Sequence, residues 1–438
     1  MKVFGTDGIR GKVGEHPMTV TFTSVFASAI SSVLAPKGGT VVIGKDTRRS
    51  GYMFESSLES AFVASGLDVV LLGPLPSPAI AIYTKQTKAN LGIIISASHN
   101  SFEYNGIKII NSNGEKIDAQ LEYEIEKKLL DEPITQTSEK IGKASRSANS
   151  RDIYESFLTS LFSTKKPLSN IKIVLDCSNG AAYKVAPSIL SSLGAEIIPI
   201  ACSPNGFNIN MNCGSTNPET IKNTVKAVNA DLGIALDGDA DRVLLIDEKG
   251  NCLDGDQILY MLAMINKEKE NFNSKIVGTI LTNSGLETSL KKHSIQLYRS
   301  DVGDKHVVDM MKKTGSSIGG ETSGHIINYD YSPTGDGLMT ALLILKYIVD
   351  NNKKIEDLLL GLSLLPQFNK NINIENKKIS QSLIDATNDK ASEMLDDGRL
   401  IIRMSGTEPI IRVTIESTNK DSFKTIFNFI TQELHTNE

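Results

Sequence analysis

Three times in succession the chain repeats one pattern, in which short aliphatic or β-branched runs alternate with segments of helical apolar spacing. The first round contains a helix from Val20 to Leu34, a strand from Thr40 to Gly44, a helix from Phe54 to Ser65 and a strand from Asp68 to Leu72. It closes on Gly73-Pro74-Leu75-Pro76-Ser77-Pro78, a turn that also starts the next helix. The second round takes in Ile171 to Leu175, Ala181 to Leu193, Glu196 to Ile200, a helix announced by Asn217-Pro218-Glu219, and Leu232 to Leu236. The third runs through Ile276 to Leu281, Ser284 to Lys292, Ile295 to Tyr298 and Asp304 to Lys313, and ends in the long helix Asp336 to Val349. Strands alternating with helices in this way predict βαβ units. Runs such as Gly92-Ile93-Ile94-Ile95 read as strands buried on both faces. The expected fold class is α/β, with three domains of similar topology built on mixed or parallel sheets.

At 438 residues the chain exceeds what one hydrophobic core supports, so several domains are expected. Composition shifts place the boundaries. Glu132 to Arg151 is polar with little periodicity and reads as an exposed connection. Beyond Gln367 to Asn376 the order changes to strand, helix, two strands and helix. The division is therefore 1–150, 151–252 and 253–366 for the α/β domains and 367–438 for a small α+β domain, arranged around a central cleft.

Charge and cysteine usage exclude several classes. A net charge of −5 gives no basic footprint for nucleic acid and no polybasic surface for anionic lipid. No apolar stretch approaches the roughly 18 residues of a membrane span. The cysteines at 177, 202, 213 and 252 form no C-x-x-C pair, which predicts a reducing compartment and no zinc. The expectation is a soluble cytoplasmic protein, monomer or homodimer, with a small-molecule partner.

The chemistry concentrates in four turns. Ser96-Ala97-Ser98-His99-Asn100 follows the apolar run ending at Ile95, where open α/β sheets bind ligands, and a serine there suits a nucleophile or phosphate carrier. An ordinary Ser/Asn turn would look similar. Asp237-Gly238-Asp239-Ala240-Asp241-Arg242 sets three carboxylates within five residues between two apolar runs; an all-oxygen set of this kind suits a hard cation such as Mg²⁺. An EF-hand fails because Arg242 stands where its glycine must turn. Gly319-Gly320-Glu321-Thr322-Ser323-Gly324-His325 offers acceptor, hydroxyl and imidazole in a loop permitting close backbone approach, an inventory suited to sugar hydroxyls. Arg403-Met404-Ser405-Gly406-Thr407-Glu408-Pro409, with Arg412 close by, suits a phosphate anchor and lacks the lysine and spacing of a P-loop. Only ten of 46 basic residues are arginine, and Arg10, Arg242, Arg403 and Arg412 all fall in such turns.

With these motifs in this order, the chain resembles the α-D-phosphohexomutases over essentially its whole length, and within them the bacterial phosphoglucosamine mutases. Phe4-Gly5-Thr6-Asp7-Gly8-Ile9-Arg10-Gly11, Asp176-Cys177-Ser178-Asn179-Gly180-Ala181, Val302-Gly303-Asp304 and Thr334-Gly335-Asp336-Gly337 add to the likeness. The resemblance implies that Ser98 carries a phosphoryl group and that Asp237, Asp239 and Asp241 bind one Mg²⁺ per subunit with an oxygen of that phosphoserine. It places Arg10, Lys108 and His325 beside the reacting oxygens, with Lys108 or His325 as general base. It assigns Glu321 and Ser323 to the sugar hydroxyls, His99 and Arg242 to substrate binding, and Arg403, Ser405, Gly406, Thr407 and Arg412 to the non-reacting phosphate. The implied activity interconverts glucosamine 6-phosphate and glucosamine 1-phosphate, with a sugar bisphosphate as intermediate and activator, on the route to UDP-N-acetylglucosamine and peptidoglycan.

Departures from the family pattern are few. Ser101 stands where proline often follows His-Asn, so a less rigid turn is expected. Lys45 and Lys305 stand where arginine is common. Phosphomannomutase or phosphoglucomutase activity shares every catalytic part. A non-catalytic sugar-phosphate sensor is the alternative from another class, against which the intact Ser98, Lys108, aspartates and His325 count.

Overall fold

The computed structural model describes residues 2–5, 7–374, 379–405 and 409–436. In each of the first three domains the sheet has the same spatial order, with the second strand beside the first, then the third, then a fourth running antiparallel. In the first domain these are Leu67–Pro74, Gly39–Lys45, Leu91–Ile95 and Tyr104–Asn111. In the second they are Glu196–Ile200, Lys172–Asp176, Leu232–Leu236 and Val243–Asp247, and in the third Gln296–Ser300, Lys275–Thr279, Ile318–Gly320 and Ile326–Asn328. The first three strands of each set are parallel because helices cross between them, whereas the fourth returns through a short turn and so must run antiparallel.

The helices begin where the sequence offers a cap. Thr19 accepts from the Phe22 amide at 3.2 Å to start Val20–Leu34, and Asp336 accepts from the Met339 amide at 2.9 Å to start Gly337–Asp350. Ser77–Thr87 opens with a proline in its first turn, and every residue from Ser77 to Thr84 is buried. Its first two turns are enclosed, and Lys85 to Thr87 are exposed. Its Ala79 to Tyr83 join one apolar cluster with Leu175, Ile234, Leu259 and Leu342, so the first three domains share a continuous core.

The last domain stands apart. Its sheet is the antiparallel set Gln367–Asn373, Ile410–Glu416 and Arg399–Met404, covered by helices Gln381–Ser392 and Ser422–Thr436. Ile372, Ile384, Ile411, Ile426 and Leu434 form a separate core. Its joint to the third domain is polar. Glu416, fully buried, accepts from the amide and hydroxyl of Ser284 at 3.0 and 2.6 Å, where helix Ser284–Lys291 begins. The same carboxylate takes Arg399 at 2.8 and 3.0 Å and Gln367 at 2.8 Å, while Arg399 also reaches the Thr282 carbonyl.

Three expectations need correction, the first being the helix read from Ala181, which begins at Val185 after a turn. The 132–151 stretch is largely exposed, yet Ala144–Arg146 inside it forms a sixth strand, parallel to Leu67–Pro74. The amides of Gln136 and Lys143, bonded to the Ala64 carbonyl and to Asp68, lay it along an edge its own composition would not have sought. The helix expected from Phe54 begins at Arg49, because the polar Arg49-Ser50-Gly51 supplies a first turn without an apolar signal. All four cysteines are free, Cys177 and Cys213 being buried and Cys202 and Cys252 half-buried. No helix of the described residues is long and apolar enough to cross a membrane.

The Glu416 joint gives a test. Burial would raise this carboxyl, but the hydrogen bonds from Arg399 and Ser284 and the charge of Arg399 hold it below the ordinary glutamate value. A lowered carboxylate pKa stabilises the docked state above the ordinary glutamate range, and that contribution is lost as pH falls through the lowered value. Glu416→Ala is expected to weaken docking by about 2–4 kcal/mol. Limited proteolysis should then cut near residue 366 faster than in the parent while the three-domain core keeps its melting temperature; acid should produce the same cut in the parent chain.

Candidate active site

Three of the chemistry-bearing turns occupy one structural position, the hairpin between the third strand of the sheet and the antiparallel fourth. The Ser98 loop joins Leu91–Ile95 to Tyr104–Asn111, the aspartate loop joins Leu232–Leu236 to Val243–Asp247, and the Glu321 loop joins Ile318–Gly320 to Ile326–Asn328. In the last domain Ser405 follows Arg399–Met404, and Arg412 lies on Ile410–Glu416. Gly406 and Thr407 lie outside the described residues.

The Ser98 hydroxyl donates to Asp237 Oδ2 at 2.6 Å across the boundary of the first two domains. Ser98 is almost fully buried and has φ +49°, a left-handed conformation that costs a non-glycine residue roughly 1–3 kcal/mol. Beside it, His99 Nδ1 lies 3.3 Å from the same hydroxyl. Burial, together with the charges of Arg242 and Arg10, pushes the His99 imidazole down to about 4, so it is neutral near pH 7.

The three aspartates are buried, and ligand oxygens from all three lie within 4.8 Å of one another. Asp239 Oδ1 and Asp241 Oδ1 are buried without a hydrogen-bond partner. Burial, with Asp241 and Asp239 beside it, pushes the Asp237 carboxyl well up. Crowded carboxylates with orphaned oxygens are an unfavourable arrangement unless a cation shares them, and the donor set fits a hard divalent ion. Part of the balance comes from other domains. Ser77 donates to Asp239 at 2.6 Å. Lys108 Nζ lies 2.9 Å from Asp7, 3.0 Å from Asp239 and 3.3 Å from Asp241. Burial works against the Lys108 ammonium, but those three carboxylates outweigh it and hold its pKa well above the usual lysine value.

His325 closes the cluster from the third domain, with Nδ1 3.5 Å from Asp241 and Nε2 3.7 Å from Asp304. Burial would lower its pKa, but Asp241 and Asp304 raise it. Backbone pairing locks the two loops together: Arg242 and His325 form an antiparallel bridge, and the Val243 amide donates to the Gly324 carbonyl at 3.1 Å. Arg10 reaches the Asn100 side chain at 3.1 Å and Asp7 at 3.4 Å. Glu321 accepts from the Gly303 amide at 3.0 Å, and Ser323 is exposed.

Arg403 and Arg412 are directly opposite across the two strands, a pairing of like charges. Burial and the Arg412 charge lower the Arg403 pKa, and Arg403 Nε has no hydrogen-bond partner. Together with Thr322 of the Glu321 loop they line a cavity of about 260 Å³. A larger cavity of about 1020 Å³, walled by Tyr52, Phe102 and Phe207, lies on the first–second domain seam and includes none of the acidic cluster.

The structure thus brings Ser98, His99, Arg10, Lys108, the three aspartates, Arg242 and His325 into one cluster, and sets Glu321 within electrostatic range of both Arg242 and Arg403. Sequence reasoning gave no role to Asp7, Lys116 or Asp304, where Lys116 bridges the two carboxylates, nor to Asp46, Arg48 and Asn210, which hold the Ser98 loop. Asp7 and Asp304 fall inside motifs that were noticed, and Arg48 is an arginine in a polar turn after a strand, which was the available signal. The looser turn expected at Ser101 meets a carbonyl gripped by Arg48.

Comparison with known proteins gives a consistent result. Domain models described as phosphoglucomutase/phosphomannomutase match in order: alpha/beta/alpha domain I at residues 1–134, domain II at 152–250, domain III at 254–363 and the C-terminal domain at 370–433. A phosphoglucosamine mutase of Legionella pneumophila (strain Lens) is 45% identical over 427 residues, covering 97% of this chain and 94% of its own. The chain belongs to the bacterial phosphoglucosamine mutases.

The mutase is therefore an isomerase acting on phosphosugars, within the phosphohexomutase superfamily. Among solved structures, a phosphoglucomutase/phosphomannomutase family protein from Burkholderia thailandensis has a TM-score of 0.80 at 22% identity, covering 98% of this chain and 96% of that one. The Aspergillus fumigatus N-acetylphosphoglucosamine mutase, in complex with GlcNAc-6P and magnesium, has a TM-score of 0.70 at 17% identity, covering 99% and 95%. At these identities the likeness speaks for the fold.

The Thr334-Gly335-Asp336-Gly337 motif now has a physical reason. A Cβ on Gly335 would come within 2.5 Å of the His325 ring, and one on Gly337 within 2.5 Å of the Arg242 carbonyl, so the glycines let this helix start press against both loops. Gly335→Ala is expected to displace the imidazole and lower kcat by roughly 10–100-fold, with the melting temperature reduced only a few degrees. Steady-state kinetics with thermal unfolding would check this; an unchanged kcat would show that the ring position is irrelevant.

Proposed function

We propose that the mutase interconverts glucosamine 6-phosphate and glucosamine 1-phosphate through a phosphorylated Ser98. One observation carries the reading: the Ser98 hydroxyl lies 2.6 Å from Asp237 Oδ2, inside a buried cluster of three carboxylates. The phosphoserine gives its phosphoryl group to the sugar's 1-hydroxyl, whose proton passes to a base while the departing Ser98 oxygen takes up a proton, leaving a bisphosphorylated sugar and an unmodified Ser98 hydroxyl. The intermediate turns end for end, and its 6-phosphoryl group returns to the Ser98 oxygen, which gives up its proton as the sugar's 6-oxygen gains one, releasing glucosamine 1-phosphate. Asp237, Asp239, Asp241 and a phosphoserine oxygen would hold one Mg²⁺, which supplies charge neutralisation for the transferring group.

For the base, the geometry favours His325. Its Nε2 has no hydrogen-bond partner, whereas the ammonium of Lys108 faces three carboxylates. Lys108 and Arg10 then act on charge beside the reacting oxygens, with His99 and Arg242 around the sugar phosphate. Glu321 and Ser323 would take sugar hydroxyls, while Arg403, Ser405, Gly406, Thr407 and Arg412 grip the phosphate that does not react. The intermediate has to stay bound while it reorients, and the separate core and polar joint of the last domain suit a grip that opens and closes. Sugar bisphosphate would prime any enzyme that has lost its phosphate, and the product would supply UDP-N-acetylglucosamine synthesis in the cytoplasm.

Intact mass should show one phosphate that Ser98→Ala removes, with kcat/KM falling by at least about a thousandfold in a coupled assay primed with sugar bisphosphate. Retained turnover in that variant would refute the phosphoserine. Excess EDTA should abolish activity and added Mg²⁺ restore it; full activity in the chelator would rule out the metal. kcat/KM should be higher on glucosamine phosphate than on glucose or mannose phosphates, and the reverse order would overturn the sugar assignment.

A further inference from the structure

Ser98 carries a side chain, yet its backbone sits at φ +49°. Such a conformation persists where the surroundings over-determine it, and here they do so on both sides of the Cα. On one side, the Ser98 amide donates to Ser96 Oγ at 2.9 Å, and Ser96 Oγ donates to Asp46 Oδ2 at 2.7 Å. On the other, the Ser98 carbonyl accepts from Arg48 Nη2 at 2.9 Å and from Asn210 Nδ2 at 2.8 Å.

Arg48 is fully buried, and its fork is committed to this loop. Its Nη2 also reaches the Asn100 carbonyl at 2.8 Å, its Nη1 takes the Ser101 carbonyl, and its Nε rests on Asp46 Oδ2 at 2.8 Å. A planar guanidinium can serve three carbonyls and a carboxylate together; a single ammonium cannot. Asn210 approaches from the second domain and bonds the carbonyls of Ser98 and Asn100 at 2.8 and 3.0 Å. Its own amide donates to the Ser178 carbonyl at 2.9 Å, and Ser178 Oγ donates to the Leu236 carbonyl at 2.6 Å. Leu236 immediately precedes Asp237. A continuous run of hydrogen bonds therefore links the backbone of the serine to the backbone of the aspartate its hydroxyl meets.

We propose that Arg48 and Asn210 form a two-domain clamp that holds Ser98 in its strained conformation and so fixes the line along which its hydroxyl gives and receives the phosphoryl group. Both are positioning residues, since neither touches the hydroxyl. Phosphoryl transfer depends on alignment more than on covalent chemistry, so a clamp of this kind acts on turnover rather than on binding. The inference rests on Ser98 being the phosphorylated residue.

The test uses Asn210→Gly, Asn210→Asp and Arg48→Lys in the full chain, with Ser98→Ala beside them. Glycine tolerates the φ of +57° at position 210 while deleting the donor, and aspartate keeps the shape but turns a carboxylate toward two carbonyls. Melting temperature, phosphate content by intact mass, kcat and KM are measured for each. The clamp predicts folded Asn210 variants with kcat reduced roughly 10–100-fold, KM within about threefold of the parent, and aspartate worse than glycine. Phosphoserine in Asn210→Gly should also pass its phosphate to glucosamine 6-phosphate more slowly in a single turnover. Parental kcat in both Asn210 variants, or losses that only track the folded fraction, would overturn the clamp. If Arg48→Lys does not fold, the half-buried Asn210 decides alone. An active Ser98→Ala would overturn the phosphoserine and the clamp with it, whereas an inactive Ser98→Ala beside normal Asn210 variants would sink the clamp only.

Discussion

Three carboxylates buried side by side repel one another, and groups from the first three domains meet around them to offset that repulsion. The second domain supplies Asp237, Asp239 and Asp241 with Arg242 beside them, and the first and third domains add the hydroxyl donors Ser77 and Ser98, the Lys108 ammonium and the His325 imidazole. Bringing these groups together requires domains that do not drift. The buried turns Ser77 to Thr84 and the common apolar core meet that requirement, and the Arg242–His325 bridge joins the second and third domains at the site itself.

The last domain obeys the opposite constraint. Its apolar cluster closes on itself, and contact with the third domain runs through Glu416, Arg399, Gln367 and Ser284. The two parts therefore differ physically: three domains joined through a common apolar core, and a fourth joined through a polar contact and bearing the arginine pair.

Much of this was legible in the sequence, for identifiable reasons. Fully apolar strands such as Leu91–Ile95 and Leu232–Leu236 announce themselves, and the polar turns after them stand out because Ser98 and the aspartates follow runs with no polar residue. The α+β ending was readable from element order alone. What escaped were residues whose work is done on the backbone. Arg48 and Asn210 bond carbonyl oxygens, which leave no trace in side-chain pattern, and the strand Ala144–Arg146 exists because another edge pairs with it. Lys116, Asp7 and Asp304 are single charges whose meaning appears once the first and third domains face each other.

The strand Ile410–Glu416 carries the joint at its end and Arg412 four residues earlier. At about 3.3 Å per residue the span is roughly 13 Å, so any rotation of the domain about that joint would be carried to the guanidinium at the far end. A tilt of about ten degrees at the joint sweeps that guanidinium through roughly 2 Å, enough to separate a grasped anion from a freed one.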